Sequence, residues 1–146
     1  MSENVTVIDV AHTQRSDIED MLVQAARSAR QNAYVPYSGF RVGAAVLADS
    51  GRIYAGCNVE NASFGATICA ERTAFVKAIS EGERRFLGVA VCGASPEPVS
   101  PCGICRQFMA EFGLDMPVIM AGEGDARTIM TLRELLPLAF TSEDME

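Results

Sequence analysis

Two short stretches that contain cysteine limit the folds open to this chain more than any other feature. Residues 67–72 read TICAER, and residues 100–106 read SPCGICR. Apolar residues at helical spacing follow the cysteines in both stretches, so each is predicted to lie where a helix begins. A fold that brings the two helix starts together gathers three thiols and one carboxylate in one place.

Length and charge narrow the class of protein. The 146 residues suit one domain, which at this size buries about two thirds of the surface of its unfolded chain. We therefore expect a single domain over residues 1–146, with loose ends over residues 1–15 and 142–146. Lys and Arg number 12 against 19 Asp and Glu, and the net charge of -7 disfavours a nucleic-acid partner, since phosphates bind basic surfaces.

Apolar runs and cysteine usage bear on location. The longest strongly apolar run, residues 42–48, is far too short for a membrane span, and residues 1–14 lack the features of a signal peptide. We therefore expect a cytoplasmic protein with no membrane partner. Its five cysteines should be reduced thiols, which favours metal binding or catalysis over disulfides. The single histidine, His12, lies in a polar segment and is expected at the surface.

Helical and strand periodicities alternate along the rest of the chain. They predict helices over residues 17–32, from just after residue 67 or 68 to Gly82, over 102–112 and just before Pro137, and strands over 42–48, 52–57, 86–92, 118–121 and 127–130. Capping-box spacing marks the first helix start at residues 16–19 and the last at Thr131 and Glu134. The predicted fold is α/β, a three-layer α/β/α sandwich around a mixed five-stranded sheet.

The spacing of the cysteines suits a metal site. Cys102 and Cys105 are three positions apart, so both sulfurs can face one side of an opening helical turn. Cys69 would add a sulfur from a second helix start, where the helix dipole stabilises a thiolate. Three thiolates leave one position open in the tetrahedron that zinc prefers, which distinguishes catalytic from structural zinc.

Charged residues beside the cysteines extend this hypothesis. Glu71 lies two residues beyond Cys69 on the same turn, where it could act as a general base without binding the metal. Arg72 and Arg106 each adjoin a candidate ligand. They could offset the thiolate charge through hydrogen bonds to sulfur.

Less specific interpretations of these residues stay open. A lone C-x-x-C is equally a redox pair or half of a structural zinc site. Cys57 as a fourth ligand would close the site, although Cys57 and Cys92 lie in apolar strand patterns that favour buried, inert thiols. Glu71 taken alone is an ordinary acid at a helix start.

The combination resembles the zinc-dependent nucleoside and nucleobase deaminases, which share a Cys/His-x-Glu motif and a Pro-Cys-x-x-Cys motif. Residues 69–74 (CAERTA) and 101–107 (PCGICRQ) are similar to the small three-cysteine cytidine deaminases. The resemblance extends from about residue 33 to residue 140. Further matching segments are PYSGFRVGAA at 36–45, GCNVENA at 56–62 and LLP at 135–137.

The resemblance implies a cytidine deaminase-like fold and one Zn²⁺ ion per subunit on Cys69, Cys102 and Cys105, with Glu71 as the catalytic proton shuttle. It also implies a set of substrate contacts and a homotetramer with shared active sites. The implied contacts are Asn58 and Glu60 at the ribose hydroxyls, Phe40 against the nucleoside, the Ala70 backbone amide at the pyrimidine edge, and Phe140 stacked on the base from a neighbouring subunit.

The implied activity is zinc-dependent hydrolytic deamination of cytidine and 2′-deoxycytidine to uridine and 2′-deoxyuridine with release of ammonia, in pyrimidine salvage. Phe64 departs from the Tyr common in the family, and Ile104 from the usual Ala. One alternative is the same chemistry on another aminopyrimidine, such as a nucleoside antibiotic or a damaged nucleoside. Another is a non-enzymatic structural zinc module, and the acidic balance disfavours an enzyme that edits RNA or DNA.

Overall fold

The computed structural model describes residues 6–146, over which four helices and five strands follow one another. In chain order they are α1 (Arg15–Arg30), β1 (Val42–Ala48), β2 (Ile53–Cys57), α2 (Ala70–Ser80), β3 (Phe86–Gly93), α3 (Gly103–Ala110), β4 (Pro117–Ala121), β5 (Arg127–Thr131) and α4 (Leu132–Leu135). Short 3₁₀ turns lie at Val10–His12, Phe64–Ala66 and Ser142–Met145.

The five strands form one mixed sheet in the order β2-β1-β3-β4-β5. β3 and β4 are parallel and are joined through α3, whereas the other neighbouring strands are antiparallel. β1 and β2 form the predicted hairpin, and Gly51 in its turn has a φ of 90° that favours glycine. The predicted mixed five-stranded sheet is confirmed.

Helices cover both faces of the sheet. α1 packs on one face, where Leu22, Val23 and Ala26 are buried against the central strands. α2, α3 and α4 pack on the other face, where Phe75 and Leu132 belong to the larger core. This arrangement is the three-layer sandwich that the sequence predicts, and it explains why β1 is apolar throughout, since a central strand covered on both faces has no solvent side.

Glycines let the helices lie close to the sheet. A side chain on Gly43 in β1 would collide with the backbone of α1 at Ala26 and Arg30. A side chain on Gly56 in β2 would meet the backbone of Ala74 in α2 at 2.7 Å. The close approach of α2 sets the height of its first turn above the sheet, and that turn carries the functional residues described below.

The helix ends agree with the sequence patterns to within about two residues, and one predicted cap is absent. Thr131 and Glu134 form the predicted capping box, and Gly82, with a φ of 104°, ends α2 in the left-handed conformation expected there. The capping box predicted at residues 16–19 is wrong. α1 begins earlier, at Arg15, and the Glu19 carboxylate accepts a hydrogen bond from the Arg15 side chain at 3.1 Å.

The chain ends differ from the expected loose segments in one place. Ile8 is 5% exposed and belongs to the core on the α1 face, and the backbone of Val7 forms a β-bridge with Arg52, so the start of the described chain is held against the fold. Residues 1–5 of the expected loose start lie outside the described residues. Residues 142–146 are exposed, and their looseness stays a prediction. His12 is exposed, as expected, and hydrogen-bonds Asp9 at 2.9 Å.

Candidate active site

Three cysteine sulfurs converge where α2 and α3 begin. Cys69 is the N-cap residue of α2, Cys102 is the N-cap residue of α3, and Cys105 lies in the first turn of α3. Their Sγ atoms all lie within 4.8 Å of one another, and those of Cys69 and Cys102 are 3.7 Å apart. The fold therefore brings Cys69 together with two candidate ligands that follow it by 33 or more positions in the chain.

The donor set fits one zinc ion. Tetrahedral zinc with Zn–S bonds of about 2.3 Å holds its sulfurs about 3.8 Å apart, close to the observed separation of Cys69 and Cys102. The thiol of Cys57 is half-buried in β2 and lies outside the cluster, which among residues 6–146 contains three candidate ligands. Cys57 is therefore less buried than predicted. It does not supply a fourth sulfur that would close the site.

Cys92 behaves as the predicted inert thiol. It is fully buried in β3 on the α1 face, away from the cluster, and its sulfur lies 3.7 Å from the carbonyl oxygen of Val23. Burial raises the pKa of the Cys92 thiol, which keeps it protonated.

Cys69 and Cys105 differ in acidity. The pKa of Cys69 is lowered to about 5, first because Cys105 hydrogen-bonds its thiolate and then because of the Arg72 guanidinium. The pKa of Cys105 is raised, because its thiol is the partner in that hydrogen bond and is buried. The pair therefore holds one negative charge readily, and a dication among the sulfurs favours the loss of the remaining protons.

Glu71 lies beside the sulfurs without belonging to their cluster. It sits in the first turn of α2 and is only 4% exposed. Burial raises the pKa of its carboxyl group and the negative charge of Cys69 raises it further, against a hydrogen bond with Cys105 that lowers it. A buried carboxyl group whose pKa is raised can both take up and deliver a proton near neutral pH, as a proton shuttle requires.

The two arginines play different parts. Arg72 Nη2 lies 3.6 Å from Cys69 Sγ and 3.5 Å from the carbonyl oxygen of Thr67, which supports the predicted charge compensation. Arg106 instead donates to the carbonyl oxygens of Pro101 at 2.8 Å and Leu135 at 2.7 Å. Its predicted hydrogen bond to sulfur is absent among residues 6–146, because the end of α4 offers its guanidinium a closer partner.

A cavity of about 200 Å³ opens beside the sulfurs and Glu71. Three of the predicted substrate contacts line it, namely Phe40, Asn58 and Ala70. Its other lining residues come from the sheet, the α2 and α3 starts and the loop before α3. They are Val42, Thr67, Ile68, Cys69, Glu71, Val91, Val99, Ser100 and Cys102.

Several of these lining residues were missed from the sequence. Thr67 and Ser100 belong to the two cysteine-containing stretches, so their neighbourhood could have flagged them. Val42, Val91 and Val99 carry no such signal, since an apolar residue in or beside a strand is equally a core residue. Only the sheet register shows that the start of β1 lies next to the end of β3, where Val42 pairs with Gly93 beside the site.

The other two predicted substrate contacts lie outside the lining of this cavity. The carboxylate of Glu60 accepts hydrogen bonds from the backbone N–H groups of Tyr37 and Ser38 and from the Ser38 hydroxyl. Phe140 is 58% exposed, and its carbonyl oxygen accepts a hydrogen bond from Gln107 at 2.8 Å. Within one subunit Phe140 therefore does not line the cavity.

Known proteins match this chain over most of its length. Residues 16–121 match the family model of the cytidine and deoxycytidylate deaminase zinc-binding region. A cytidine deaminase from Sporosarcina psychrophila is 50% identical over 131 residues, which cover 88% of this chain and 95% of that protein. A cytidine deaminase from Halalkalibacterium halodurans is 53% identical over 127 residues, covering 86% of this chain and 96% of the relative.

A solved structure agrees with these matches. The crystal structure of cytidine deaminase from Burkholderia pseudomallei aligns with a TM-score of 0.80 and 44% sequence identity, covering 83% of this chain and 98% of that chain. The zinc-binding region of the family model spans all three clustered cysteines and Glu71. The chain therefore belongs to the family of zinc-dependent cytidine deaminases.

Proposed function

We propose that this enzyme deaminates cytidine and 2′-deoxycytidine hydrolytically, giving uridine and 2′-deoxyuridine with release of ammonia. The observation that carries the proposal is the placement of buried Glu71 in one cavity with Cys69 and Cys102, two of the three zinc ligands. The same cavity is lined by Phe40 and Asn58, which suits a ring and its sugar. A structural zinc module has no use for a buried acid beside an open pocket.

The residues of the chain divide the chemistry between them. Cys69, Cys102 and Cys105 would hold the zinc ion, which would supply the acidity that ionises water by lowering its pKa to about 7. Glu71 accepts the proton that the water gives up and delivers it to N3 of the cytosine ring as the C4–O bond forms. Glu71 then transfers the proton of the new C4 hydroxyl group to the amine, so that C4–N cleavage leaves a C4 carbonyl group and releases ammonia.

The surroundings of Glu71 support this role. With 4% of its surface exposed, its carboxyl group exchanges protons with the substrate rather than with bulk water. Ala70 is the first residue of α2, and a backbone N–H at that position has no partner within the helix. That N–H can donate to the carbonyl oxygen of the pyrimidine and so orient C4 toward the sulfurs.

The charge of Glu60 favours nucleosides over nucleotides as substrates. The pKa of Glu60 is lowered, mainly by the hydrogen bond from the Ser38 hydroxyl, so its carboxylate is charged at neutral pH. A carboxylate accepts hydrogen bonds from ribose hydroxyls, but it repels a phosphate group nearby. We therefore expect nucleotides to be poor substrates.

Exposed apolar side chains support the homotetramer. Phe64, Ile104 and Phe140 are 73%, 66% and 58% exposed, and Leu138 is fully exposed with a φ of 54°. Burial of these side chains between subunits would be favourable, and it would allow Phe140 of one subunit to reach the site of another. Light scattering coupled to size-exclusion chromatography tests this, and a monomer that is fully active would contradict it.

The free cysteines bear on the compartment in which the enzyme works. All five cysteines are free, and a site built from thiolates needs a compartment in which thiols stay reduced. Among residues 6–146, the structure has no helix both long and apolar enough to cross a membrane. We propose a cytoplasmic enzyme that returns nucleosides to the uridine pool, that is, a role in pyrimidine salvage.

The test is ammonia release from cytidine, 2′-deoxycytidine, cytosine and cytidine monophosphate, each with and without a zinc chelator. We expect release from both nucleosides, little from the other two, and loss of activity with the chelator. Release only from a different aminopyrimidine in a wider panel would replace the substrate assignment. A protein that binds zinc tightly but releases no ammonia from any of them would instead support the structural module.

A further inference from the structure

The loop of residues 35–40 ends at Phe40, which lines the cavity, and it is held by a small network of hydrogen bonds centred on Ser38. The Ser38 hydroxyl donates a hydrogen bond to the Glu60 carboxylate at 2.5 Å. The same hydroxyl oxygen accepts a hydrogen bond from the backbone N–H of Phe40 at 3.0 Å. One side chain therefore links a carboxylate predicted to contact the sugar with the main chain of a residue that lines the cavity.

Phe40 is held from both sides of its backbone. Its N–H donates to Ser38, and its carbonyl oxygen accepts a hydrogen bond from Asn58 Nδ2 at 2.8 Å. Gly39, between Ser38 and Phe40, has a φ of 69°, in the left-handed region, so the chain turns sharply just before Phe40. Such a turn has few local constraints of its own, and the two hydrogen bonds fix the residue that follows it.

Glu60 is oriented by the same loop. Its Oε1 accepts from the backbone N–H groups of Tyr37 at 3.0 Å and Ser38 at 3.1 Å, and its Oε2 accepts from the Ser38 hydroxyl. Without the hydroxyl, one carboxylate oxygen loses its partner within the protein and the carboxylate can rotate. The lowered pKa of Glu60 has this hydroxyl as its largest cause, which agrees with a tight contact.

We propose that Ser38 is a positioning residue for nucleoside binding, whose hydroxyl couples the orientation of Glu60 to the main-chain position of Phe40. The proposal rests on the proposed function in that Glu60 and Phe40 bind the nucleoside. Ser38 need not touch the substrate. Its loss disorders two contacts at once and leaves the sulfurs and Glu71 untouched, so binding suffers and the chemical step does not.

The kinetic test compares Ser38→Ala, Ser38→Thr and a control, Ser28→Ala, in the zinc-loaded enzyme. Ser28 is exposed on α1, on the other face of the sheet from the site. For Ser38→Ala we expect KM for cytidine to rise about three- to tenfold, as for an exposed hydrogen bond to a charged group, with kcat nearly unchanged. Ser38→Thr keeps the hydroxyl and should restore KM, and Ser28→Ala should match the wild type.

A second measurement does not depend on activity. Hydrogen–deuterium exchange of the peptide that covers residues 35–41 should be faster in Ser38→Ala than in the wild type, and unchanged in Ser28→Ala. If the wild type releases no ammonia from cytidine, the proposed function is wrong. The hydrogen–deuterium exchange rates would still show whether Ser38 holds the loop. An unchanged KM with unchanged exchange, or a fall in kcat with KM unchanged, overturns the proposal.

Discussion

Replacing Glu71 by Gln removes one proton-carrying group and almost nothing else. Gln has the shape of Glu, and the position is 4% exposed, so the amide fills the same space in the first turn of α2. Glu71 is not a member of the sulfur cluster, so zinc should stay bound. The variant therefore separates metal binding from proton transfer.

The size of the effect follows from the burial of the site. General acid–base catalysis contributes on the order of 10²- to 10⁴-fold to a rate, equivalent to about 3 to 5 kcal/mol in the barrier. Glu71 is asked to move protons at more than one step, and its burial leaves little room for water to replace it. We therefore expect kcat for cytidine to fall by about 10³-fold or more, with a much smaller change in KM.

The assay is the loss of cytidine absorbance, read together with the zinc content of each protein by atomic emission. The matched control is Glu81→Gln, an exposed acid at the other end of α2, which should keep wild-type kcat. A Glu71→Gln enzyme that holds one zinc per chain and still turns over within about threefold of the wild type would refute the proton-shuttle assignment. Loss of zinc would show instead that Glu71 supports the metal.

Three further predictions concern the metal, the cavity and a helix end. Cys105→Ser should lose most of its zinc and its activity, as metal analysis would show, because it removes one of three sulfurs. Gly93→Ala should raise KM, because a methyl group there would collide with Val99 in the cavity wall. Glu134→Gln should lower the unfolding temperature at neutral pH, and the difference from the wild type should shrink as the pH falls below 4.5 and through the pKa of Glu134, which the backbone N–H of Thr131 lowers.

Control variants are available for the cysteine and glycine substitutions, and the sign of the pH effect tests the Glu134 substitution. Cys57→Ser, outside the cluster, should keep its zinc, and a Cys105→Ser enzyme with full zinc content would rule out the three-sulfur site. Gly65→Ala is the control for Gly93→Ala, because a side chain at Gly65 meets no atom within 4 Å. Equal KM values for the two glycine variants would contradict the steric argument. A Glu134→Gln effect that grows as the pH falls would have the wrong sign for a carboxylate with a lowered pKa.

Local patterns predicted local structure well. The apolar run of β1, Val42–Ala48, has the bounds expected from the sequence, because a strand buried on both faces leaves a continuous apolar signal. The final capping box formed as predicted, since Thr131 and Glu134 need only each other. The expected capping box at residues 16–19 did not form because α1 begins at Arg15, so Ser16 lies within the helix and cannot be its N-cap.

Long-range hydrogen bonds could not be predicted from the sequence pattern. Arg106 adjoins a ligand in the chain, yet it donates to the carbonyl oxygen of Leu135, 29 positions away. Glu60 and Ser38, 22 positions apart, are likewise joined only in the folded chain. Such partners are chosen by which elements meet in space, and a single sequence carries no local trace of that choice.

In the two cysteine-containing stretches, too, local features follow from the sequence and long-range positions follow from the fold. The sequence alone determined the ligand types, the acid two residues from Cys69 and the three-residue spacing that places Cys102 and Cys105 on one helical turn, because these depend on helix geometry over a few residues. Only the tertiary structure decided that the starts of α2 and α3 meet with sulfurs 3.7 Å apart, that Glu71 is buried and that Phe40 and Asn58 face the same cavity. Those facts depend on how both helices pack on one face of the sheet, where burial of apolar side chains from distant segments sets every position.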